Sequence, residues 1–320
     1  MRVVVTGGAG YAGSILVRGL LRDGHDVRVL DSLLYGGDSL RGLSSHDRFE
    51  LVRGDVRDRA GVRRALVGAD AVVHLAAIVG DAACARRPEL ARTVNLDGSI
   101  LVHEESRRAG VGLLVFASTC SNYGRVGNGV PIAEDAELRP TSLYAETKVA
   151  AEVELLRARD GSAVTVLRLA TLFGVSPRMR FDLTVNELVL ASLTKGELDV
   201  YGERSWRPYL HVADAGRAIR LILAQPRNRV DGRVFNVGAT EENYTKARLV
   251  SLVCEEVGRE VRVRSVAAPD DLRDYRVSFE RIRSELGFRV TRSVRDGIRE
   301  LVEAIGSGAA GDPSHPRCRN

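Results

Sequence analysis

The 320-residue sequence predicts an α/β chain, a doubly wound parallel sheet followed by a smaller C-terminal α/β domain. Three observations carry that expectation. Short apolar runs alternate with longer amphipathic stretches through residues 1–174. The runs are continuously apolar, as in Val3-Val4-Val5, which suits strands covered on both faces. A glycine-rich turn, Gly7-Gly8-Ala9-Gly10, separates the first run from the first amphipathic stretch.

Taken in order, strands are expected at Arg2–Thr6, Asp26–Leu30, Glu50–Arg53, Ala71–Leu75, Leu113–Ser118 and Val164–Arg168. Helices are expected between them, including Ala12–Arg22, Leu90–Arg108 and Leu143–Arg159. After Gly174 the rhythm changes. Helices are expected at Leu183–Thr194, Val212–Ala224, Lys246–Glu256 and Val294–Ala304, and strands at Asp199–Tyr201, Arg233–Val237 and Val261–Val266. Residues 1–174 thus read as a nucleotide-binding domain that also receives elements from about 203–237, and 175–305 as a substrate domain. Residues 306–320, rich in Gly, Ser and Pro, read as a disordered tail.

Composition excludes several classes. There is no apolar run of 18 or more residues, so no membrane partner is expected. The chain opens on a strand-like run without a basic and apolar leader, so a cytoplasmic location is expected. Cys84, Cys120, Cys254 and Cys318 form no CxxC pair, which suggests neither a metal site nor a disulfide framework. Of the 47 basic residues only three are lysines, and acidic residues are interspersed with the arginines. The net charge of +5 therefore reads as a solvated surface, and no nucleic-acid partner is expected.

Gly7, Gly10 and Gly13 make a GxxGxxG spacing between a strand and a helix. The first glycine permits a tight turn, the second lets backbone approach a pyrophosphate, and the third lets helix and strand pack closely. The helix N-terminus offers free N–H groups and a partial positive charge. This is the phosphate-binding turn of a Rossmann domain. Asp31 ends the second strand, where a carboxylate accepts hydrogen bonds from a ribose 2′-hydroxyl and repels a 2′-phosphate. The expected cofactor is therefore NAD. Asp55, after the third strand, either meets the adenine or caps the following helix.

Tyr144 and Lys148 are four apart in a helical segment and share one face. A phenol ionises near pH 10, but a neighbouring ammonium and a positive nicotinamide ring are expected to lower that value. Tyr144 is then suited to take the proton from a substrate hydroxyl while Lys148 steadies the nicotinamide ribose. Thr119, at the end of the Leu113–Ser118 run, falls where a doubly wound sheet presents its ligands. Its hydroxyl is expected to share the proton with Tyr144.

Together TGGAGYAG (6–13), GDV (54–56), HLAA (74–77), STCSNYG (118–124), YAETK (144–148) and RPYLHVAD (207–214) resemble the extended short-chain dehydrogenases/reductases of the nucleotide-sugar epimerase/dehydratase family. The resemblance covers residues 1 to about 290. It implies cofactor contacts from Gly7, Gly10, Tyr11, Ala12, Asp31, Asp55, Val56, Leu75, Ala76 and Lys148. It implies Thr119, Ser121 and Tyr144 around the sugar, and Arg178, Asn186, Arg207 and Arg273 around a nucleoside diphosphate. It also implies a homodimer through the Leu90–Arg108 and Leu143–Arg159 helices.

Members of that family first make a keto sugar and then diverge. The 4,6-dehydratases carry Asp and Glu directly after the catalytic Thr; here Cys120 and Ser121 stand there. The resemblance thus favours an epimerase, most simply at C4, in which hydride returns to the opposite face of a turned keto sugar. A thiol at Cys120 is a weak acid–base alternative for C3 or C5 epimerisation, although a buried packing role suits it better. A keto-sugar reductase, a dehydratase and a non-catalytic NAD-binding regulator are the other readings.

Overall fold

The computed structural model describes residues 1–126, 129–157, 161–266 and 273–320. The first half runs β1 (Arg2–Thr6), α1 (Tyr11–Arg22), β2 (Asp26–Asp31), β3 (Phe49–Arg53), α2 (Arg59–Leu66), β4 (Ala71–His74), α3 (Asp81–Arg86), α4 (Pro88–Arg92), α5 (Gly98–Arg108), β5 (Leu113–Thr119), α6 (Leu143–Arg157) and β6 (Ala163–Leu169). The second half contributes β7 (Thr171–Phe173), α7 (Thr184–Lys195), β8 (Glu197–Val200), β9 (Trp206–His211), α8 (Val212–Leu223), α9 (Arg227–Val230) and β10 (Arg233–Val237). It ends with β11 (Asn243–Thr245), α10 (Lys246–Val257), β12 (Arg262–Ser265), α11 (Glu280–Leu286) and α12 (Val294–Gly306). The expected end of the 143–159 helix, from residue 158 on, lies outside the described residues.

Seven parallel strands form one sheet in the order β10-β6-β5-β4-β1-β2-β3. The strand order reverses beside β1, and the crevice between the carboxyl ends of β1 and β4 is where such a sheet binds ligands. Alternation along the strands divides the core. Val3, Val5 and Val29 pack with Leu16 and Ile219 on one face, and Val4, Leu114 and Val166 pack with Val62 and Leu155 on the other. A separate core, with Phe181, Val189, Leu249 and Ile298, joins α7, α10 and α12. β10, from the second half, completes the edge of the main sheet against β6. Among the described residues no helix is long and apolar enough to cross a membrane.

Two segments differ from the sequence expectation. The stretch 90–108 is helical throughout but not uniformly α: a π-helical segment, Thr93–Asp97, joins α4 to α5. The wider turn swings Asn95 inward, where its amide accepts from Ile78 N at 2.7 Å and donates to Ile78 O at 3.0 Å. The reading of 306–320 as disordered is corrected as well. Its last residues pack against three loops of the crevice: Phe181 N donates to Cys318 O at 2.9 Å, Arg317 pairs with Asp38 at 3.0 Å, and Asn320 Nδ2 donates to Val79 O at 3.0 Å. Gly, Ser and Pro allow the turns of this segment, but its polar ends find fixed partners that composition does not reveal.

Candidate active site

The crevice is built first by glycine. Gly7 adopts φ +73°, and a Cβ there would lie 2.7 Å from Ala76 N, so neither the turn nor the approach to β4 tolerates a side chain. A Cβ on Gly13 would run into the Gly7 carbonyl oxygen. The result is a cleft of about 320 Å³, lined by Gly7, Gly10, Tyr11, Ala12 and Asp31 from one side. Asp55, Val56, Leu75 and Ala76 line the other. Asp31 accepts from Ala9 N at 2.9 Å and from Leu33 N at 2.8 Å, which orients its carboxylate. Burial raises its carboxyl, and those two amides and Arg178 pull it back. Asp55 is paired with Arg57 at 2.7 Å, which holds its carboxyl low; the helix cap is Asp58, which accepts from Ala60 N and Gly61 N. Tyr11 fastens the two halves, donating to Gly174 O at 2.6 Å. Glycines that admit phosphate, an uncapped helix N-terminus and an oriented carboxylate fit an NAD molecule.

The helix carrying the Tyr–Lys pair starts beside this cleft. Ser142 Oγ accepts from Ala145 N at 3.3 Å and itself donates to Asp81 Oδ1 at 2.8 Å. Tyr144 packs among Ile78, Ala83, Cys84 and Ala91. Its phenol is pushed above the ordinary value by burial and by Cys84, while the Arg180 guanidinium opposes. The lowered value expected from the sequence is therefore not produced by the protein groups alone, because burial outweighs the nearby cations. Lys148 is buried, with Nζ 4.3 Å from the centre of the Phe116 ring. Burial pulls its ammonium down to about 8, and the Glu152 carboxylate one turn on opposes that.

Thr119 ends β5, and its Oγ1 accepts from Ser121 N at 3.1 Å, which leaves the hydroxyl hydrogen to donate. Ser121 Oγ lies 3.3 Å from the hydroxyl of Tyr275, a buried residue on which the charges of Arg207 and Arg273 also act. Cys120 turns the other way. Its thiol is buried, donates to Arg168 O at 3.2 Å, and burial pushes it far up, so it takes the packing role rather than the acid–base one.

Behind the pair lies a buried ionic network. Glu152 and Arg168 are bonded through two guanidinium nitrogens, at 2.8 and 3.1 Å, with side chains 2% and 6% exposed. Glu152 also accepts from Ser118 Oγ and, at 2.7 Å, from Asn122 Nδ2. These residues flank Thr119, so one carboxylate ties α6 to the end of β5. Arg168 continues to Tyr123 OH at 3.0 Å and Glu134 O at 2.9 Å.

Two second-half residues expected at the nucleotide are engaged within the protein. Asn186 is fully buried, and its amide donates to Arg180 O at 2.9 Å and Tyr11 OH at 3.3 Å while accepting from Gly174 N at 3.0 Å. It holds the 174–180 loop and has no donor left for a nucleotide. Arg178 lines the cleft with Gly10, Tyr11 and Asp31, and its charge acts on the Asp31 carboxyl. Arg273 pairs with Asp81 at 2.7 Å, which links it through Ser142 to the start of α6. Sequence reasoning missed Asp81, Arg180, Glu152 and Tyr275. Glu152 had a signal, four residues beyond Lys148 on one helix. Asp81 and Tyr275 had none, since only the tertiary fold joins them.

The description "NAD dependent epimerase/dehydratase family" matches residues 3–238. A dTDP-glucose 4,6-dehydratase of Streptomyces griseus is 33% identical over 314 residues, spanning 94% of this chain and 92% of the relative. The solved UDP-glucose 4-epimerase of Thermus thermophilus, in complex with NAD, superposes with a TM-score of 0.83 at 31% identity, over 95% of this chain and 98% of that one. The dTDP-glucose 4,6-dehydratase DesIV of Streptomyces venezuelae, also with NAD bound, gives 0.87 at 30% identity, over 98% and 99%. Epimerases and dehydratases are thus similar to this chain in equal degree.

Proposed function

The chain belongs to the NAD-dependent epimerase/dehydratase family, and from that premise we propose that it is a nucleotide-sugar epimerase acting at C4 of the sugar. One observation carries the choice. Directly after Thr119, Cys120 is turned into the core and Ser121 faces Tyr275, so neither position offers a carboxylic acid to expel a C6 hydroxyl. Inversion at C4 needs no such acid.

When bound, NAD would supply the hydride acceptor and, once reduced, the hydride donor for the return. Thr119 donates its hydroxyl hydrogen to the sugar oxygen and holds it. Tyr144 takes the proton from that oxygen on oxidation and gives it back after the sugar turns. Lys148, as an ammonium, stabilises the phenolate and orients the cofactor ribose. Arg207 and Arg273 neutralise the diphosphate of the substrate, and Ser121 with Tyr275 bounds the sugar.

The test is incubation of the purified protein, without added cofactor, with a panel of UDP- and dTDP-hexoses followed by NMR. The expected result is interconversion of axial and equatorial C4 epimers. Accumulation of a 4-keto-6-deoxy product would overturn the reading in favour of a dehydratase, and a requirement for added reduced cofactor would favour a reductase.

A pH dependence follows from Lys148. Its ammonium carries its proton below about pH 8 and loses it as pH rises through that value, well before an ordinary lysine near 10.4. Activity that needs the ammonium is expected to hold up to about pH 8 and fall above it. A pH–rate profile level to pH 10 would contradict this. We also propose a homodimer formed through α5 and α6, where Val153 is an exposed apolar residue. Sedimentation as a dimer is expected, and a monomer at micromolar concentration would remove the idea.

A further inference from the structure

Arg178 belongs to the second half of the chain, in the loop between β7 and α7, yet its side chain lines the NAD-shaped cleft with Asp31 and Tyr11. It is 7% exposed. Its guanidinium stacks on the Tyr35 ring at 4.2 Å, and one terminal nitrogen donates to Asn320 Oδ1 at 2.7 Å and Arg319 O at 3.3 Å. Its Nε is buried with no hydrogen-bond partner. Among the described residues no carboxylate pairs with it, since the nearby Asp182 is taken by Arg180 at 2.6 Å. A buried guanidinium is ordinarily paired and fully hydrogen-bonded. Here burial and the neighbouring Arg180 pull it down to about 10, which marks an excess of positive charge in an enclosed place.

The same cleft contains a second source of positive potential. Helix α1 begins at Tyr11 with no side-chain cap and no acidic residue in its first turn, so its N-terminal amides face the cleft unneutralised. A buried cation with an orphan donor and a bare helix N-terminus on one cleft call for an anion between them. Gly10, where an added Cβ would meet only the Gly7 carbonyl oxygen at 3.1 Å, presents bare backbone to that cleft, and Asp31 marks its ribose end.

We propose that Arg178 is a ligand of the diphosphate of NAD, closing from the second half the phosphate cradle built by the first. The proposal rests on the cofactor assignment. A diphosphate is common to NAD and to a nucleotide sugar, but Arg178 lines the glycine-turn cleft with Gly10, Tyr11 and Asp31 and stacks on Tyr35, which favours the cofactor. Arg178 then does not serve substrate binding. It also couples cofactor binding to the seating of the 319–320 segment, because the guanidinium that would meet the diphosphate holds that segment now.

The test uses the full chain, with Arg178→Gln and Arg178→Lys beside the unaltered protein. NAD content after purification is measured, then binding of NAD, ADP-ribose, adenosine, UDP and dTDP by calorimetry. Arg178→Gln is expected to weaken NAD and ADP-ribose by about 10- to 100-fold and to leave adenosine, UDP and dTDP unchanged. Arg178→Lys is expected to recover part of the loss, because it keeps the charge without the fork. The unfolding temperature without ligand is expected not to fall, since the substitution removes an unpaired buried charge. Unchanged NAD binding overturns the proposal, as does a lower unfolding temperature with all ligands weakened alike. Selective loss of UDP and dTDP would return Arg178 to the substrate. Failure of the unaltered protein to bind NAD would sink the cofactor assignment itself, an outcome distinct from equal binding by both proteins.

Discussion

Tyr144→Phe is expected to lower kcat by about 10²- to 10⁴-fold, the usual worth of a positioned acid–base group. The ring would still fill the space among Ile78, Ala83, Cys84 and Ala91, so the fold and the bound cofactor are expected to be retained. What disappears is the phenol at the start of α6, the group proposed to exchange a proton with the sugar oxygen. Thr119 cannot replace it, because a hydroxyl held by Ser121 N is a donor and far too weak a base. Steady-state kinetics alongside cofactor absorbance measure both parts. A Phe variant keeping more than about a tenth of kcat would contradict the role given to Tyr144.

Glu152→Ala is expected to cost about 3–5 kcal/mol of stability, because Arg168 is left as an uncompensated buried charge. Ser118 and Asn122 lose an acceptor at the same time. This exceeds what any exposed ion pair of the chain provides. Arg41–Asp38 at 2.6 Å, for example, is largely solvated and worth at most about 1 kcal/mol. Chemical denaturation of the Ala variant measures the difference. A loss below about 1 kcal/mol would mean that the network is not held as a unit.

The sheet was legible because its strands are buried on both faces, and continuous apolar runs such as Val3-Val4-Val5 have few other uses. The turn at Gly7–Gly13 was legible because it acts through local spacing, and Tyr144, four residues before Lys148 on α6, packs against Ile78 of the same cleft. β9 was not read as a strand, because Trp206-Arg207-Pro208 mixes charge and a proline into a partly exposed run. Side-chain direction was harder still. Cys120 and Ser121 are neighbours, yet the strand end sends one into the core and the other to Tyr275. Asn186 is an asparagine in an amphipathic helix, and nothing in its surroundings along the chain says that its amide closes the 174–180 loop. The pocket lining of Arg178 and the docking of Asn320 depend on contacts across more than a hundred residues, which no periodicity encodes.

The central claim is that one hydrogen leaves C4 of the sugar and returns to the same carbon inside the closed cleft. It is tested most directly with a nucleotide hexose carrying deuterium at C4, converted by the purified protein in ordinary water and read by NMR and mass spectrometry. The expected product keeps its deuterium at C4 with inverted configuration, and the unlabelled sugar run in deuterated water gains none at C3 or C5. Loss of the C4 label to solvent, or solvent deuterium appearing at C3 or C5, would contradict it.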